Sequence, residues 1–174
     1  YALTMSCSQT LSGIARDCAA SMGGIAEVLI CNHDDITAVT LSDGIVSAIT
    51  TATSKKFKKY AFRPGTGSMT STLNVDPANG VNYVSTELAL QFNRMETTKR
   101  VEMAALATND LAVIVKDNNG KYWYLGYDEP VNASAGDGVT GQARGDANKY
   151  GITLQDNSHE FPYEVAEEVI ATIL

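Results

Sequence analysis

The chain has 174 residues, 44% of them hydrophobic and 19% charged, which supports one buried core and excludes wholesale disorder or a fibrous composition. The net charge of -7 lies wholly in residues 126–174, where nine acids face two bases, while the first 125 residues balance at eleven of each. Five of those early bases crowd between Lys55 and Arg63, so a basic run and an acidic end share one chain, which favours head-to-tail contact between copies.

Residues 1–22 are dominated by Ser, Thr, Gly and Ala, and their weak patterning predicts an N-terminal arm. Ile25–Cys31 predicts a buried strand; Ile36–Leu41 and Ile45–Thr51 predict two more around the turn Ser42-Asp43-Gly44, together a meander. Thr66–Val75 sets Met69, Leu73 and Val75 on one face, and Val81–Asn93 sets Val84, Leu88, Leu90 and Phe92 on one face. Asp76-Pro77-Ala78-Asn79-Gly80 between them supplies a preset φ at Pro and a positive φ at Gly, so residues 66–93 predict a long hairpin arm. Arms longer than the common strand of about 5 or 6 residues call for a partner surface. Glu96–Ala107 holds good helix formers without Gly or Pro, with Val101, Ala104, Ala105 and Thr108 at helical spacing. Leu111–Val115 and Lys121–Gly126 flank Asn118-Asn119-Gly120 and predict a tight hairpin. Residues 128–149 read as a flexible loop, Tyr150–Gln155 as a strand, and Tyr163–Leu174 as a terminal helix or strand. One domain over residues 1–174, mainly β as a sandwich or barrel with one flanking α-helix and a hairpin arm, accommodates all of this.

Ile25–Cys31 contains Glu27 and falls far short of the roughly 20 apolar residues a bilayer span requires, so no membrane partner is expected. A start at Tyr1 leads to the expectation that an initiator methionine or a longer leader precedes it. Cys7, Cys18 and Cys31 are an odd number without a framework spacing, which points to free thiols in a reducing compartment.

The residues that carry catalytic chemistry are sparse. His33-Asp34-Asp35 has ligand-type side chains, but His159 is the only other histidine, and the segment lies where a turn should join two strands. Gly136-Asp137-Gly138-Val139-Thr140-Gly141 matches the dinucleotide string without a strand before it or a helix after it. No phosphate-binding loop ending in Gly-Lys-Ser or Gly-Lys-Thr occurs, and no serine sits in a Gly-x-Ser-x-Gly elbow. The chain therefore reads as non-enzymatic, with no catalytic, cofactor or metal site. Lys55-Lys56-Phe57-Lys58-Lys59-Tyr60 combines cations and aromatics as nucleic-acid grooves do, yet lysines also guard sheet edges against wrong pairing, and an acidic chain is repelled by phosphate.

The order of parts, early short strands, a hairpin over Thr66–Asn93, a helix over Glu96–Ala107 and a hairpin over Leu111–Gly126, resembles tailed-bacteriophage tail-tube proteins and their relatives in tail hubs and connector rings. The resemblance covers Ile25–Leu125; the stretch Thr140–Leu154 is similar to the terminal part of virion proteins from phages of gut bacteria. It implies a virion structural protein, assembled in the bacterial host cytoplasm, whose copies form a ring, a hexamer favoured, that stacks into a tube. Partners would be copies of itself, other virion proteins, and DNA passing through the lumen without specific binding. The candidate interface residues are Lys55, Lys56, Lys58, Lys59, Met69, Leu73, Val75, Val84, Leu88, Leu90, Phe92, Glu164, Glu167 and Glu168. The competing reading is a non-catalytic β-sandwich binding module on a virion or cell surface, with Tyr122, Trp123 and Tyr124 as stacking platforms.

Overall fold

The computed structural model describes residues 10–174. Two sheets form a layered, open sandwich. The larger takes the order β2-β3-β11-β8-β7-β1-β4, from β1 (Ile25–Asn32), β2 (Ile36–Ser42), β3 (Ile45–Thr51), β4 (Lys58–Tyr60), β7 (Leu111–Asp117), β8 (Tyr122–Leu125) and β11 (Tyr163–Val165). The smaller is β5-β6-β10-β9, from β5 (Ser68–Asp76), β6 (Val81–Asn93), β9 (Asn132–Val139) and β10 (Lys149–Ser158). Helices α1 (Thr97–Thr108) and α2 (Glu167–Ile173) complete the fold.

The centre of the larger sheet, β1 and β7, is buried on both faces. Val28, Ile30, Leu111, Val113 and Val115 turn toward Leu88, Leu90, Ile152 and Leu154 of the smaller sheet. Their neighbours Leu29, Cys31, Ala112 and Ile114 turn the other way, onto Val46, Phe57 and the α2 side chains Val169, Ile170 and Ile173. A strand buried on both sides needs no polar alternation, which is why Leu111–Val115 is an unbroken apolar run. Burial of each such Val, Leu or Ile contributes roughly 1.5–3 kcal/mol.

The turns follow from their residues. Asp43 and Gly44 both take positive φ (52° and 78°), as a two-residue hairpin loop requires between β2 and β3. At the tip of β5–β6, Asp76 accepts hydrogen bonds from the Ala78 amide at 3.2 Å and the Asn79 side-chain amide at 2.6 Å, while Gly80 supplies φ 66°. His33–Asp35 is a single 3-10 turn between β1 and β2, so the histidine and its two acids form a connection.

The mainly-β architecture with a flanking helix stands, and four details of it are corrected. First, β1, β2 and β3 do not form a meander: β1 pairs with β4 and β7, and only β2 and β3 are neighbours. Second, residues 128–149 are not all loop, because Asn132–Val139 is β9, paired along β10 from Lys149↔Val139 to Gln155↔Asn132. Its Ala, Ser and Gly side chains offer no apolar period, and register with β10 holds it instead. Third, α1 buries Leu106 and half-buries Met103, leaving Val101, Ala104, Ala105 and Thr108 exposed. Larger side chains win the core over regular spacing because they remove more apolar area from water. Fourth, Tyr163–Leu174 supplies both a strand and a second helix. Part of the predicted arm, residues 1–9, lies outside the described residues; residues 10–22 are exposed and form no helix or strand.

Candidate assembly interface

Every strand pair of the smaller sheet is antiparallel, and its outer strands β5 and β9 each lack a neighbour on one side. An unpaired edge displays a row of backbone N–H and C=O groups that favours another strand. Register separates the two faces of this sheet. The inner face carries Val84, Leu88, Leu90 and Phe92, all buried, with Met69 opposite Leu88 and Leu73 opposite Val84. The outer face carries Thr70, Thr72, Ser85, Glu87, Gln91, Thr153 and Gln155, small or polar side chains left partly or wholly in water.

This division corrects part of the predicted interface. Leu88, Leu90 and Phe92 cover the subunit's own core and cannot also meet a second copy, while Val84, equally buried, lies at the wall of the groove described below. Met69 is half-buried at the rim of that core. Leu73 and Val75 remain exposed, and these are the hairpin residues open to a partner.

A polar row crosses the inner face between Leu88 and the Leu73–Val84 pair. Ser71, Thr86 and Asp156 are register partners on three adjacent strands. The Ser71 and Thr86 hydroxyls hydrogen-bond at 2.9 Å. Asp156 is buried; it accepts the backbone N–H groups of Gly126 and Asn157, while its Oδ1 has no partner. Burial pushes its carboxyl up to about 6, helped by the negative charges of Asp128 and Glu129.

Beyond that row, Ile45, Leu73, Trp123, Phe161 and Tyr163 line an open groove of about 920 Å³ beneath the hairpin, with Asp43, Glu160 and Glu164 at its margin. Trp123 is fixed by donating its indole N–H to Asp117 at 3.0 Å, and Tyr163 donates to Glu160 at 2.9 Å. Burial and the Glu160 carboxylate push the Tyr163 phenol up to about 12. Tyr122 and Tyr124 point to the opposite face, into the α2-side core, so the three aromatics do not form one platform.

The basic run occupies the edge strand β4 and the turn before it. Two of its lysines are engaged within the subunit: Lys59 pairs with Glu27 at 3.2 Å, and Lys56 donates to the Thr172 carbonyl at 2.8 Å, where the last carbonyls of α2 need donors. Lys55 and Lys58 are exposed and make no ion pair among the described residues. In the acidic end, Glu164 pairs with Lys121 at 2.9 Å, while Glu167 and Glu168 stand exposed on the first turn of α2. The sequence does not reveal that two of the four lysines and one of the three glutamates are already engaged within the subunit.

Among the described residues no group of three or more His, Cys, Asp or Glu side chains is placed to hold a metal ion, and no helix is long and apolar enough to cross a membrane. Cys31 is buried on the α2 side, where desolvation and Asp35 raise its thiol pKa, the opposite of an activated nucleophile. Gly136 and Gly138 lie within β9, and β10 and not a helix follows, so no phosphate cradle forms. No family model, curated protein or solved structure matches the chain.

Proposed function

We propose that the protein is a virion structural subunit of the phage tail-tube kind, whose copies close into a ring that stacks and leaves a channel for DNA. The observation that carries this reading is the four-stranded antiparallel sheet with a free strand at each edge. Because the strand number is even, β5 and β9 run in opposite directions, and rotation about one axis can bring β9 of each copy beside β5 of the next with antiparallel alternation unbroken. A sheet with an odd number of strands would meet its copy in parallel. The Ala, Ser and Gly residues of β9 leave its edge open to close backbone approach.

Six copies would join into 24 strands. At about 4.8 Å between strands and a tilt of about 40°, that barrel measures roughly 48 Å across its backbone, wide enough for a duplex. The outer face of the sheet would line this channel. Its hydroxyls and amides, with Glu87 and Asp137 against Lys149, suit a surface that passes DNA without holding it.

Light scattering after size exclusion, with negative-stain imaging, tests the reading. Rings or tubes are expected. Discrete monomers or dimers at all concentrations would overturn it and favour a binding module that uses the Trp123 groove.

A further inference from the structure

The arm and the groove each expose apolar surface in the same chain. Leu11 and Ile14 are fully in water (93% and 102% exposed), and residues 10–20 make no hydrogen bond to the body of the subunit among the described residues. The described part of the arm is fixed at its root. Asn119 accepts the Met22 amide at 2.9 Å and donates to Ser21 at 3.2 Å, while Asn118 donates to the Gly23 carbonyl at 2.6 Å. That same turn borders the groove, because Asp117 holds Trp123 and Lys121 holds Glu164.

We infer that the arm of one copy lies in the groove beneath the β5–β6 hairpin of the next copy, Leu11 and Ile14 covering Ile45, Leu73, Trp123 and Phe161. This deepens the ring reading and rests on it for the position of the neighbour. Two features of the chain carry it.

The first is reach. The subunit's own groove begins beside the arm's root, whereas Ile14 and Leu11 lie eight and eleven residues before Met22, roughly 26 and 36 Å along an extended chain. An extended arm overshoots its own groove. Ring symmetry sets the same end of every copy at one level, so an arm leaving at that level meets the neighbouring groove. The second is chemistry: a groove with an apolar floor is matched by two apolar side chains that have no cover in the free subunit.

Disulfide trapping decides the matter. With Cys7 and Cys18 changed to Ser and the buried Cys31 left in place, Ile14→Cys combined with Phe161→Cys should give a ladder of linked multimers on a non-reducing gel after mild oxidation. Either change alone should give none. A disulfide formed only within the monomer, or no disulfide, overturns the inference. In the native background, Leu11→Ser with Ile14→Ser should raise the concentration needed for assembly roughly a hundredfold while the thermal transition stays in place. Undiminished assembly of that variant also overturns it. Rings without a ladder would leave the ring reading intact and remove the arm; a ladder without rings would do the reverse.

Discussion

Leu73 and Val84 are cross-strand partners on the inner face of the long hairpin, yet Val84 is 1% exposed and Leu73 is 48% exposed. The edge of the subunit's own core passes between them. Everything beyond this pair toward Gly80 adds little to the fold of one copy and is available to another. Replacing Asn74–Tyr83 with Asn-Gly would close the hairpin on the Leu73–Val84 pair with a two-residue loop. The shortened protein should keep a cooperative thermal transition within a few degrees of the parent and lose assembly by light scattering. Loss of folding together with assembly would place the tip inside the cooperative unit.

Asp156 should make stability depend on pH. Its carboxyl titrates at about 6 in the fold and near the ordinary 3.8 in the unfolded chain, so between those values the folded state holds the extra proton. Stability from this group is therefore greatest below pH 4, falls as pH rises toward 6, and stays low above it. Asp156→Asn removes the charge, and denaturant unfolding should show it stabilised by about 1–3 kcal/mol at pH 7.5, with the gain gone near pH 4. A pH-independent difference between the two proteins would contradict this assignment.

The charge split yields a sharper test because three of the seven candidate charges are engaged within the subunit. Lys55→Glu with Lys58→Glu spares the Lys59–Glu27 pair and the Lys56 contact to α2, so the monomer should keep its stability. If β4 of one copy meets α2 of the next, the double variant should stack poorly. Adding Glu167→Lys and Glu168→Lys should restore part of the stacking. Each exposed pair contributes only about 0–1 kcal/mol and is screened by salt, so the contrast belongs at low ionic strength. Unchanged tube length for the lysine variant there would reduce the basic run to a guarded sheet edge.

Large side chains with a clear period made much of the fold legible. The span Val81–Asn93 is the strand the structure shows, and α1 falls within a residue of its predicted span. β9 was not legible because Ala, Ser and Gly carry no apolar contrast, and only its partner β10 defines it. The parallel pairing of Val46 with Val165 joins segments far apart in sequence, which no local pattern encodes. The candidate interface failed where it did for a related reason: period-2 alternation says that Val84, Leu88, Leu90 and Phe92 face something apolar, but not whether that is the same chain or another.

The outer face of the small sheet allows a test of the channel itself. Glu87 lies on β6 between Thr70 and Gln155, and Gln91 lies on β6 opposite Gly151; both face away from the core. Placing cations there, Glu87→Lys with Gln91→Lys, should leave folding and ring formation unchanged, since both lie on the inner strand β6 rather than on an edge strand and neither makes an ion pair among the described residues. Six copies would then set a dozen new cations around the lumen. Native rings should show no retention of duplex DNA at 50 mM salt, whereas the variant should bind it and release it as salt rises, the logarithm of affinity falling by about 0.9 per phosphate neutralised for each logarithmic unit of salt. Rings of the variant that ignore DNA under those conditions would mean that the polar face of the sheet does not line the channel.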